Sequence, residues 1–226
     1  MDTKRPLGIK MKKFALAAVA TVLATSAVPA SAATIIGLYN TGVDTAGNKI
    51  TIVDQPDIHY LVSNNTSFTT NNIAYVQDSN AQYIASQKQG QGGSQTYTLN
   101  FSLGGASAAS AFLSGSVAYD NLVKVFLNGN LLYSDQNVGS GSGTYAAFNQ
   151  LHAFSTAECP GCFVSGSNAL TFNVTDLGQP TALLVTNLSG TAVPESATWA
   201  MMLMGFGMIG FGFRRRRKPN LGITYA

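Results

Sequence analysis

Apolar and polar residues alternate with period two through much of the middle of the chain. Thr96 to Leu103 puts Tyr97, Leu99, Phe101 and Leu103 on one side and polar residues on the other. Residues 169–175 repeat the pattern with Leu170, Phe172 and Val174. Side chains of a strand point to opposite faces in turn, so each run predicts a half-buried strand. Val123, Val125 and Leu127 share one face of a third strand, and Thr181 to Leu188 is a β-branched and leucine run that suits a buried strand. Asn128-Gly129 lies between two apolar runs, a hairpin signal because both residues adopt positive φ at low cost. Gly/Ser/Asn/Gln clusters at 88–94, 104–107 and 138–144 read as surface loops. No stretch of the body shows a capped helical period. The expected architecture is all-β, a single jelly roll or β-sandwich over residues 33–192.

Both ends break this pattern. Lys4, Arg5, Lys10, Lys12 and Lys13 precede an apolar run from Phe14 to Val28, and Ala30-Ser31-Ala32 follows with small residues at both recognition positions. This layout predicts a signal peptide at 1–32, cut after Ala32 by signal peptidase once the Sec translocon has engaged it. Met11 is an alternative start. At the other end, Val193-Pro194-Glu195 ends the β pattern, Trp199 to Phe213 is uncharged and apolar, and Arg214, Arg215, Arg216 and Arg217 follow at once. Fifteen helical residues span about 22 Å, short of a ~30 Å hydrocarbon core. Bilayer thinning, snorkelling arginines and an interfacial Trp199 offset the deficit, so a transmembrane helix is expected at 199–213, its arginines and residues 219–226 on the cytoplasmic side. Gly205-Phe206-Gly207-Met208-Ile209-Gly210 matches a dinucleotide fingerprint by letter but lacks the strand, helix and acidic residue that give it meaning.

The formal net charge of +3 resides in the two ends. Between residues 33 and 192 only Lys49, Lys88 and Lys124 face Asp44, Asp54, Asp57, Asp78, Asp120, Asp135, Glu158 and Asp176. An acidic body without a basic surface is a poor partner for nucleic acid. The cysteines occur as Cys159-Pro160-Gly161-Cys162. In an oxidising compartment so close a pair across a Pro-Gly turn is expected as a disulfide. A thioredoxin-like redox motif needs a helix N-terminus, and a zinc site needs further ligands in familiar spacing.

The tail resembles the PEP-CTERM sorting signal in its Pro-Glu-Pro-x-x-Trp-Ala form. Pro194, Glu195, Trp199, Ala200, Met201, Met202, Gly205, Phe206, Gly207, Gly210 and the arginines fall where that pattern has them. Ser196 stands where the pattern usually has a second proline, and Lys218 to Ala226 extends beyond the arginines. The resemblance implies export by a Gram-negative bacterium that makes exopolysaccharide, passage through the inner membrane, and processing by a membrane exosortase near Pro194 and Glu195. The released body would then reside on the cell surface or in the extracellular matrix. Residues 37–44 and 120–129 are similar to the sandwich bodies of other PEP-CTERM proteins, and the second run looks like a strand-turn of galactose-binding-like jelly rolls.

Candidate chemistry in the body is sparse. Asp54, Asp57 and His59 form the one local titratable cluster, read either as a solvated loop around Pro56 or as metal ligands or an acid–base pair. No G-x-S-x-G nucleophile elbow occurs. Tyr119, Asp120, Asn121, Asn128 and Tyr133 surround the hairpin and combine aromatic faces with polar groups, as saccharide recognition requires; the competing reading packs the tyrosines in the core and gives Asn128 to the turn. No cofactor is expected, with a calcium ion on loop carboxylates such as Asp44 the weaker alternative. Two functions remain: a non-enzymatic surface or matrix protein that binds polysaccharide, or a carbohydrate-active lyase or glycosidase with paired carboxylates.

Overall fold

The computed structural model describes residues 31–88, 94–135, 147–175, 177 and 180–215. The leader through Ala30, the loop at 138–144, Arg216, Arg217 and residues 219–226 lie outside the described residues. The chain divides into two compact units, one of which is Ala32–Ser196.

That unit holds β1 (Ala33–Thr34), β2 (Pro56–Val62), β3 (Asn65–Thr70), β4 (Tyr83–Ala85), β5 (Gln95–Ser102) and β6 (Phe112–Asp120). β7 (Leu122–Leu127), β8 (Asn130–Asp135), β9 (His152–Ser155), β10 (Ser167–Thr175) and β11 (Ala182–Ala192) follow. They form one sheet in the order β8-β7-β10-β5-β2-β3-β4-β11-β6-β9, with β1 added on β11. Every pairing is antiparallel.

The ladder rolls until its halves meet face to face. Phe154 of β9 contacts Phe172 of β10 edge-on, with ring centroids 5.8 Å apart. Tyr119 of β6 reaches Tyr133 of β8, hydroxyl to hydroxyl, at 3.2 Å. The alternating residues of the sequence fill the space between: Tyr97, Leu99, Leu170, Phe172, Val123 and Val125 are all essentially inaccessible to solvent. β10 sits centrally between β5 and β7, in register Leu99–Leu170–Leu127. Burying such apolar side chains is the main favourable term of folding, at about 25 cal/mol per Å².

A second apolar cluster explains why residues 182–185 are buried at every position. Ala182 and Leu184 point away from the main core, yet Tyr75 and Tyr83 cover them together with Ala118 of β6, and Phe148 packs on the outside. The Asn128-Gly129 hairpin joins β7 to β8 with both residues at positive φ, 50° and 82°. A second turn of this kind, Ser63-Asn64 at φ 47° and 66°, joins β2 to β3.

Helix α1 (Glu195–Arg215) follows the sandwich. It corrects the expected membrane span at 199–213: among the described residues, no helix is long and apolar enough to cross a membrane. Four glycines and a polar first turn dilute its hydrophobicity, and the uncharged run is several residues short of the ~20 a span needs.

Candidate functional site

The five residues expected to bind a ligand fall in three separate places. Tyr119 and Tyr133 come together inside the seam between β6 and β8. The Tyr119 hydroxyl donates to Asp135 Oδ2 at 2.6 Å, and the ring of His152 lies 5.3 Å from that of Tyr119 and 6.0 Å from that of Tyr133. Burial, with Asp135 and Tyr133 as hydrogen-bond partners, pushes the Tyr119 hydroxyl far above the usual phenol range, so it stays a donor. His152 Nε2 is shielded from solvent and has no hydrogen-bond partner among the described residues. Asp135 and His152 escaped the sequence reading because the sheet edges that carry them meet only through folding.

Asp120 alternates to the opposite face of β6. It accepts hydrogen bonds from the Tyr75 hydroxyl (3.0 Å) and from Asn121 Nδ2 (2.6 Å), while Asn121 Oδ1 accepts the Leu177 N–H at 2.8 Å. Asn128 occupies a third position. Its amide donates to Cys162 O at 2.8 Å and Asn168 Oδ1 at 2.7 Å and accepts from Ala169 N at 2.9 Å, tying the hairpin to the start of β10.

Asp57 and His59 lie on β2, not in a solvated loop. Asp57 is 1% exposed, and its carboxylate accepts the N–H groups of Gly42 (2.6 Å), His59 (2.7 Å) and Tyr60 (3.0 Å). Burial raises its pKa, against the opposing pull of those three donors. The His59 ring stacks on Tyr39 at 3.6 Å, with Nε2 3.1 Å from Asp44 O. Asp44 turns its oxygens onto its own loop, accepting from Ala46 N and Asn48 N at 2.9 Å each, and the Asn48 contacts foremost hold its pKa below the ordinary value. Among the described residues no group of three or more His, Cys, Asp or Glu side chains is placed to hold a metal ion.

Cys159 and Cys162 form a disulfide. Gly161 between them takes φ 82°, which the reversal of the chain requires. Cys162 is buried in the main core beside Phe163, whose ring meets Phe101 edge-on at 6.4 Å. The bridge closes the loop that leads into β10.

The tail begins against the sandwich. β1 pairs with the end of β11, Ala33 opposite Ala192 and Thr34 opposite Thr191. The residue after the expected signal-peptide cut therefore lies beside the last strand residue before the tail. Pro194 forms an antiparallel bridge with Ala106. Gly104 and Gly105, at φ 58° and 87°, let the loop double back to meet it. Glu195 opens α1, where a carboxylate complements the helix dipole, and Arg214 complements the other end. Trp199, Leu203, Phe206, Ile209, Phe211 and Phe213 project all around the helix and are more than half exposed.

Residues 192–217 match the family model described as the PEP-CTERM protein-sorting motif. The tail is a PEP-CTERM sorting motif. The motif implies exosortase-dependent export through the membrane toward the cell surface. Pro194, Glu195, Trp199 and the arginines lie within it, and Ser196 keeps its place inside the matched span. No curated protein matches the chain in sequence. Among solved structures, a cyclase from Fischerella sp. TAU is similar over 73% of this chain and 98% of its own, at 15% identity and TM-score 0.40. A family 35 carbohydrate binding module from Clostridium thermocellum is similar over 58% and 90%, at 14% identity and TM-score 0.31. A glycoside hydrolase family 43 arabinoxylan arabinofuranohydrolase from Bacillus subtilis is similar over 60% and 26%, at 14% identity and TM-score 0.29. Similarity this low transfers no activity or ligand.

Proposed function

We propose that this protein is a non-enzymatic surface or matrix component of a Gram-negative bacterium. Its PEP-CTERM motif delivers it to an exosortase, and its acidic, hydroxyl-rich sandwich associates with exopolysaccharide. The observation that supports this most is the motif placed directly after the last strand of a folded body, with Val193 alone between β11 and Pro194. The acidic groups support the non-enzymatic reading. Asp57 accepts three backbone N–H groups, Asp120 holds Tyr75 and Asn121, and Asp135 holds Tyr119, so each serves the fold.

Mass spectrometry of the body recovered from an exosortase-bearing Gram-negative host tests the sorting claim. The expected product has lost the tail at or near Pro194-Glu195, and deletion of the host's exosortase is expected to leave it intact. A tail retained equally in both strains would refute processing. Binding has its own test. Residues 33–192 are expected to co-sediment with the host's exopolysaccharide. Equal sedimentation with and without polysaccharide would leave a structural role alone.

A further inference from the structure

The Pro194-Glu195 element is already hydrogen-bonded. Ser107 N donates to Val193 O at 2.9 Å, Val193 N donates to Ser110 Oγ at 2.9 Å, and Glu195 N donates to Gly105 O at 3.4 Å. Pro194 itself lacks an N–H and bridges Ala106. β1 holds the preceding residues, with Ile35 N donating to Gly190 O at 2.9 Å. An enzyme that cuts a peptide commonly recognises it as an extended strand, through the backbone groups of the residues it holds. Here those groups are taken by the sandwich.

Three hydrogen bonds hold the strap, and Val193 and Pro194 are only half-buried. A cavity of about 260 Å³ lies beside it, lined by Thr34, Ile36, Leu103, Gly105, Ala106 and Pro194. Of the residues that hold the strap, Gly105 and Ser110 are exposed, and Ala106 and Ser107 are half-buried. Local opening is cheap where few apolar contacts must break.

We propose that the folded sandwich gates its own sorting motif: Val193–Glu195 is cut only after this strap peels from the 104–110 loop. The inference rests on the exosortase reading above and adds a control to it. Processing rate follows the open population, so loosening the strap speeds tail loss and fastening it stops tail loss.

Two variants leave Pro194 to Arg217 unchanged. Ser110→Ala removes the acceptor of Val193 N and also the bond its hydroxyl donates to Ser107 O at 2.9 Å; loss of the bond to the strap is expected to raise the rate of tail loss about five-fold. Ser107→Cys with Val193→Cys fastens the strap. These residues flank the Ala106–Pro194 bridge on facing segments, joined by the bond from Ser107 N to Val193 O, and a Cα spacing of about 5.5 Å at such a position suits a disulfide. In exosortase-bearing membranes the oxidised double variant is expected to lose its tail at least ten-fold more slowly than the same variant reduced with dithiothreitol. Amide exchange at Val193 and Glu195 of the full chain in detergent reads the strap without the partner: protection is expected, weakened about five-fold in Ser110→Ala. Exchange at the free-peptide rate, an unchanged rate of tail loss in Ser110→Ala, or equal cutting of the oxidised and reduced double variant would each overturn the gate. A wild-type tail that stays intact beside active exosortase, with Val193 and Glu195 protected from exchange, upholds the strap and overturns the processing reading instead.

Discussion

Asp57→Ala is expected to lower unfolding free energy by about 3–5 kcal/mol. Three backbone N–H groups would lose their acceptor, and two of them, on Gly42 and Tyr60, are buried. Each unsatisfied buried donor costs about 1–3 kcal/mol. The damage is not local to β2. Gly42 lies in the loop before β2, where a Cβ would sit 2.5 Å from Gln82 Cβ, and Asp57 helps hold this close approach together with Ile50 N on Gly42 O at 2.8 Å. Urea unfolding followed by tyrosine fluorescence measures the loss; a change under 1 kcal/mol would show that the N–H groups find other partners.

The same side chain makes stability depend on pH. Burial raises the folded-state pKa of Asp57 above its unfolded value of about 3.9. The folded protein then holds this proton to higher pH than the unfolded chain does. The contribution of Asp57 is therefore fully present below pH ~3.9 and declines as pH rises through the folded pKa. Asp57→Asn removes this slope, and it is expected to be less stable than the wild type because its NH₂ group would oppose the Gly42 N–H. The check is the difference in unfolding free energy between wild type and Asp57→Asn at successive pH values above 4. A difference that grows in favour of the wild type as pH rises would mean that the folded-state pKa of Asp57 is lowered, not raised.

Phe172→Ala is expected to cost a further class of energy, about 3–5 kcal/mol from lost burial and the cavity left behind. Phe172 is fully buried on the central strand β10. It is where the rolled sheet closes on itself, meeting Phe154 at 5.8 Å and Tyr60 at 6.2 Å. A domain of this kind is stable by only about 5–15 kcal/mol, so the variant is expected to retain roughly half or less of its margin near the lower end of that range. The denaturation midpoint should fall with little change in slope. Thr171→Ala, one residue away on the other face of β10, is the control and is expected to change stability by about 1 kcal/mol or less. Similar effects from the two substitutions would mean that the halves do not meet at Phe172.

Strand content was legible because a strand buried on one face writes its burial into every second residue. Tyr97, Leu99, Phe101 and Leu103 face the core as the alternation implies, and Asn128-Gly129 makes its hairpin. Ser63-Asn64 makes the same kind of turn without glycine, a weaker signal because Ser takes positive φ only under tertiary constraint. The sorting motif was legible for a different reason: it is read by another protein as a linear segment, so its residues must stand in order along the chain.

The sequence alone therefore settled what depends on neighbours within a few residues: the alternating strands β5, β7 and β10 and the apolar run of β11, where the tight hairpin falls, that Cys159 and Cys162 lie within bonding reach, and that the tail is a sorting signal. Only the tertiary structure decided which polar groups meet. Asp57 finds Gly42 fifteen residues away, Tyr119 finds Asp135 sixteen away, and Ser110 finds Val193 eighty-three away. Hydrogen bonds of that span leave no period in the chain, because their geometry is fixed by how the sheet rolls rather than by spacing along the backbone.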